Sequence, residues 1–106
     1  MALEVYWTQF AEDKLQDIFN YYKFKAGISV AEKITYTIVD ETARLGTNPE
    51  IGTKEVLLSD RVQEFRYLIT GNYKILYYIN AKAKRVVIAN VFDTRQNPTK
   101  MDDTIS

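Results

Sequence analysis

The chain has 106 residues with a formal net charge of zero, 46% hydrophobic and 13% aromatic. That length holds one core and no second one, and the apolar content is too high for a disordered chain. With no cysteine and no histidine, disulfides, thiolate metal sites, cysteine nucleophiles and ordinary zinc sites are excluded, and no apolar run approaches the roughly 18 to 20 residues of a membrane span.

Leu3, Val5 and Trp7 alternate with Glu4 and Tyr6, which predicts a first strand over residues 2 to 7. Thr8 is placed to cap a following helix, with Glu12 and Asp13 near its positive end. Ala11, Leu15, Ile18, Phe19 and Tyr22 form one helical stripe, closed by Gly27. Ser29-Val30-Ala31-Glu32 fits a capping box for a second helix, whose stripe runs through Ala31, Ile34, Ile38 and Leu45 to a stop at Gly46. The short Gly27-Ile28 link makes the pair an antiparallel hairpin. Residues 48 to 62 read as loop, broken by Pro49, Gly52 and Asp60.

Three strands follow, over residues 63 to 69, 73 to 79 and 85 to 92, with links short enough for an antiparallel meander. In the second, alternation puts Ile75, Tyr77 and Ile79 on one face. In the third it groups Val86, Ile88 and Phe92 against Val87, Ala89 and Val91. Strands apolar on both faces need cover on both, and the hairpin covers only one. The expected architecture is α+β, in the order β-α-α-β-β-β: a helical hairpin on a small, mainly antiparallel four-stranded sheet. One domain spans residues 1 to 101, with a short polar tail over 102 to 106.

Charge is unevenly spread. Residues 1 to 53 hold five Lys/Arg against eight Asp/Glu, and residues 54 to 101 hold nine against four. That asymmetry suits an anionic partner for the sheet half, or a solvated surface divided by chance. Overall neutrality argues against a protein that docks on nucleic acid through phosphate neutralisation. The first residues lack the charged and apolar regions of a secretory signal, so the expected location is cytoplasmic.

Two segments carry a resemblance. Glu64-Phe65-Arg66-Tyr67-Leu68 followed by Gly71-Asn72-Tyr73-Lys74-Ile75-Leu76-Tyr77-Tyr78, and the strand Val86 to Phe92 ending in Asp93-Thr94-Arg95-Gln96-Asn97-Pro98, resemble the RelE/ParE superfamily of toxins from bacterial type II toxin–antitoxin pairs. The closing segment looks like that of ParE-type, plasmid-stabilisation proteins. The resemblance covers the chain to about Met101. It implies a protein partner, the cognate antitoxin, and a toxin that poisons DNA gyrase by binding. A second implied reading is a RelE-like ribosome-dependent endonuclease acting on messenger RNA, and a third is a detoxified member that only binds its antitoxin. No cofactor, metal or membrane is implied.

For a nuclease the candidate catalytic residues are Arg66, Lys54 and Lys74, yet no histidine exists and no tyrosine follows Tyr78. Lysine near pKa 10.4 and arginine above 12 are poor proton shuttles at neutral pH. Arg66 is expected on the open face of the sheet if Phe65 and Tyr67 face the helices, or else paired with Glu64 or Asp93. Target-binding candidates are Arg66, Arg95 and Lys100. Asp93 is expected to hold a turn or pair with Arg95. Tyr67, Tyr77 and Tyr78 are candidates for the antitoxin interface. With Tyr73 they also compete for core or base-stacking roles.

Overall fold

A computed structural model describes residues 2–95. In chain order the elements are β1 (Glu4–Trp7), α1 (Gln9–Ala26), α2 (Ile28–Ala43), β2 (Thr53–Lys54), β3 (Arg66–Thr70), β4 (Tyr73–Asn80) and β5 (Arg85–Asp93), with single 3₁₀ turns at Arg44–Gly46 and Val56–Leu58. The expected α+β architecture holds with one more strand. The sheet runs β1-β5-β4-β3-β2, and only the β1–β5 pair is parallel. The extra strand lies inside the segment read as loop: Thr53 and Lys54 pair with Tyr67 and Arg66. Two residues are too few to leave a period in the sequence.

Thr8 joins the first strand, the first helix and the last strand. Its hydroxyl donates to the Ile88 carbonyl at 2.9 Å and accepts the Ala11 amide at 3.1 Å, so the cap of α1 is also a tie to β5. Gly27 then serves both helices. At φ 98° it closes α1 through amide bonds to the Tyr22 and Lys23 carbonyls, and its own carbonyl accepts the Ala31 amide. That backbone region is open to glycine at little cost. Because α2 starts at Ile28 directly after Gly27, Ser29 and Glu32 fall inside the helix and the expected capping box does not form.

One sheet face packs on the hairpin: Ile75, Tyr77, Val86, Ile88 and Val91 meet Ala11, Ile18, Ile38 and Leu45. The second face is covered by the chain between β2 and β3. Its 3₁₀ turn lays Leu58 over Phe65, Leu76, Ala89 and Phe92, with Tyr67 and Tyr78 at the margin. Strict alternation misplaces the end of β5. Leu76 pairs with Asn90 and Tyr77 with Ile88, so Ala89 is an extra residue, a bulge. One inserted residue inverts the faces beyond it, which sends Val91 to the helix side and Phe92 to the other.

Tyr77 fastens the 49–52 segment to the sheet. Its hydroxyl donates to the Pro49 carbonyl at 2.7 Å and accepts the Gly52 amide at 2.9 Å. A Cβ on Gly52 would lie 2.7 Å from Tyr77 Cε1 and 2.8 Å from the Tyr67 carbonyl oxygen, so the close approach requires glycine.

Candidate functional site

The three nuclease candidates do not converge. Arg66 and Lys54 are cross-strand partners, and Arg66 is also paired with Tyr77, so both stand on the helix side of the sheet. Lys74 lies an odd number of residues from Tyr77 on the same strand and projects from the opposite face. Phe65 and Tyr67 pack with the second-face cluster rather than against the helices. Arg66 is therefore not on the open face as expected.

Each of the three is also engaged. The Arg66 guanidinium donates to the Gly52 carbonyl at 3.0 Å, the Glu50 carbonyl at 3.3 Å and Glu64 Oε1 at 3.2 Å, and its side chain is only 16% exposed. It pins the same segment that Tyr77 holds, and its carboxylate partner is Glu64, one of the two acids considered. Lys54, well exposed, lies 3.7 Å from Glu64. Lys74 forms a nearly dry ion pair with Glu55 and sits 4.1 Å over the Tyr67 ring.

The tyrosines divide the same way. Tyr77 is fully buried and offers no surface to an antitoxin, because its ring fills the main core and its hydroxyl is spent on Pro49 and Gly52. Tyr67 and Tyr78 are half-buried at the rim of the second face, with Tyr78 edge-to-face on Phe65 at 5.4 Å. Tyr73, whose hydroxyl bonds that of Tyr22 at 3.2 Å, has its pKa pushed up by burial first and by that contact second.

At the end of β5, Asp93 does both things expected of it. Its carboxylate accepts the Arg95 backbone amide at 2.8 Å and holds the guanidinium through Nε at 2.9 Å and through Nη2. The guanidinium, followed by the backbone amide, keeps the Asp93 carboxyl below its ordinary range. A depressed folded-state pKa adds stability that is present above the unfolded value near 3.9 and is lost as pH falls through the folded one. Arg95→Gln is therefore expected to lower stability slightly at neutral pH and to flatten the acid limb of the stability–pH curve, the variant and wild type converging below about pH 4, as melting curves at stepped pH would read. Lys100, the remaining target-binding candidate, lies outside the described residues.

Two grooves flank α1. One, of about 610 Å³, runs beside β1 and is lined by Val5, Trp7, Leu15, Phe19 and Val39, with Glu4 and Glu12 but no lysine or arginine. Among the described residues β1 pairs with no strand but β5, so its other edge is open beyond Leu3, whose amide donates to the Gly46 carbonyl at 2.7 Å. The second groove, of about 410 Å³, lies between α1 and the ends of β4 and β5, where Tyr22, Tyr73, Asp93 and Arg95 meet. Sequence reasoning singled out Arg95 but missed this groove, because Tyr22 reads as one more member of a core stripe.

A helical hairpin packs on a mixed five-stranded sheet, and the three cations singled out as nuclease candidates do not converge on one point of it. The family model for the ParE toxin of type II toxin-antitoxin systems, parDE, matches residues 5–98, and the chain belongs to that family. Among solved structures it is similar to the chromosomal ParDE toxin–antitoxin system of P. aeruginosa: 19% identity, TM-score 0.70, covering 87% of this chain and 96% of that one. It is also similar to the RelBE2 toxin–antitoxin complex of Mycobacterium tuberculosis, at 20% identity and TM-score 0.64, covering 88% and 99%. At these identities the two show a shared fold. Comparison with curated proteins gives no match. Among the described residues no helix is long and apolar enough to cross a membrane.

Proposed function

We propose that this ParE-family toxin poisons an essential bacterial target by binding it, that the target is DNA gyrase, and that a cognate antitoxin holds it in check. One observation carries the choice of binding over catalysis: Arg66 and Lys54 stand on one face of the sheet and Lys74 on the other. A phosphoryl-transfer site needs cations and proton-transfer groups around one scissile phosphate. Here the cations are split between faces and tied to Glu50, Gly52, Glu64 and Glu55.

The antitoxin surface is best supported along the β1 flank. An amphipathic tail that orders on binding can add a strand to the open edge and lay apolar side chains beside Trp7, Leu15 and Phe19. Glu12 favours a basic residue there, while Glu4 is already paired with Arg85 at 3.0 Å. Tyr67 and Tyr78 remain candidates for a further contact on the second face, and Arg95 is the candidate cation for the target. A cytoplasmic location follows from a gyrase target.

The test is expression without antitoxin, read separately for DNA damage response and for translation, beside assays on purified gyrase and on ribosome-bound messenger RNA. The expected result is DNA damage and gyrase inhibition with no RNA cleavage. Cleavage of ribosome-bound RNA that Arg66→Ala reduces by orders of magnitude would establish the RelE-like reading instead. Absence of any growth effect beside intact antitoxin capture would mark a detoxified member.

A further inference from the structure

The groove between α1 and the ends of β4 and β5 has a composition that the β1 flank lacks. Its floor is apolar, from Ile18 and Val91, and among the described residues its rim carries two cations, Lys14 and Arg95, around the hydroxyls of Tyr22 and Tyr73. The two hydroxyls share one hydrogen bond, which uses one proton. The other proton has no acceptor among the described residues and is available to a ligand. Asp93 takes Nε and Nη2 of Arg95, a clasp that fixes the guanidinium plane while leaving Nη1 without a bond to any described residue. Such a held arginine loses little freedom when it accepts a second carboxylate.

We propose that this groove docks an acidic side chain of the toxin's protein target, its carboxylate received by Arg95, Lys14 and the tyrosine hydroxyl pair. The proposal rests on the reading of the chain as a binding poison and names the working surface. Charge decides the class of partner. Lys14 and Arg95 are balanced by Asp17 and Asp93, which rules out a run of phosphates, since that requires an excess of cations. What the groove offers is donors enough for one carboxylate, at Nη1 of Arg95 and the spare tyrosine proton. Tyr21, 55% exposed and edge-to-face with Tyr22 at 5.1 Å, extends the rim with the kind of side chain that anchors protein interfaces. The groove is also separate from the β1 flank. Glu12, Leu15, Gln16 and Phe19 line one side of α1, and Lys14, Asp17, Ile18, Tyr21 and Tyr22 the other.

The decisive variant is Lys14→Glu combined with Tyr22→Phe in the full chain, expressed without antitoxin from a titratable promoter. It is expected to need at least about tenfold more protein for the same growth arrest, the loss of one good interfacial contact. Antitoxin capture should be retained, since neither residue lines the β1 groove, and the melting temperature should fall only by the loss of the one Tyr73–Tyr22 hydrogen bond. Lys33→Glu, the same charge change at an exposed site on α2, should arrest growth like the wild type. If the double variant melts early, Lys14→Gln alone, a substitution on the helix surface, serves in its place. Unchanged arrest by a folded variant would overturn the proposal, as would an equal loss from Lys33→Glu or a wild type that arrests nothing. Arrest by a wild type that leaves purified gyrase untouched would refute gyrase as the target, and the variant comparison would still decide the groove.

Discussion

Lys74→Met is expected to lower stability by about 3–5 kcal/mol, the cost of stranding one partner of a buried ion pair. The pair is nearly dry, with side-chain exposures of 16% for Lys74 and 4% for Glu55. Glu55 does more than neutralise the lysine. Its second carboxylate oxygen accepts the Leu57 amide at 3.2 Å, and its backbone amide donates to the Phe65 carbonyl at 2.8 Å. The pair thus fastens the 3₁₀ turn that lays Leu58 over the second face of the sheet. Without the ammonium, a carboxylate is left buried beneath that turn. For a domain of this size the loss corresponds to a fall in Tm of at least ~12 °C at neutral pH. Glu55→Gln in the same chain should recover most of it, because the cost lies in the stranded charge. A fall of under about 1 kcal/mol for Lys74→Met would mean that the turn is held by Leu58 and its neighbours alone.

The same pair shows where sequence reading stops. The helical hairpin, the meander and the Asp93–Arg95 clasp were legible, because each rests on local spacing: a 3.6-residue stripe, a two-residue period, an Asx turn. What was not legible depends on single inserted residues or on distant chain. Ala89 is one residue too many in β5, nothing in its identity marks it as a bulge, and the faces of Val91 and Phe92 invert in consequence. The orientation of Arg66 was tied to the assumption that Phe65 and Tyr67 face the helices. They do not, because the 55–64 chain provides a second apolar cover that composition alone cannot place. The sequence leaves Tyr77 open between core, antitoxin interface and base stacking, and it is the approach of Gly52 and Pro49, more than twenty residues away, that makes it a core residue with both hydrogen-bonding sides occupied. Lys74 and Glu55 are an ion pair nineteen residues apart, with no periodic signature.

Truncation after Phe92 is expected to abolish growth arrest while leaving a folded, antitoxin-binding domain. The cut falls one residue before the end of β5. Within the described residues it removes Asp93, paired across the ladder with Tyr73, and the Thr94 amide, which bonds the Asn72 carbonyl at 2.7 Å. Two or so hydrogen bonds at a strand end are worth about 1–2 kcal/mol. The buried members of β5 from Val86 to Phe92 all remain, so the loss stays far from the size of the core. The functional loss is larger in proportion, because Arg95 is one of two cations that the described residues place on the rim of the tyrosine groove, and Lys100 goes with it. A melting curve of the truncated chain, antitoxin capture and growth of cells lacking antitoxin separate these effects. Full toxicity after removal of residues 93 to 106 would show that neither Arg95 nor the segment beyond it is part of the working surface. Loss of the fold would show that the end of β5 carries more of the sheet's stability than its hydrogen bonds account for.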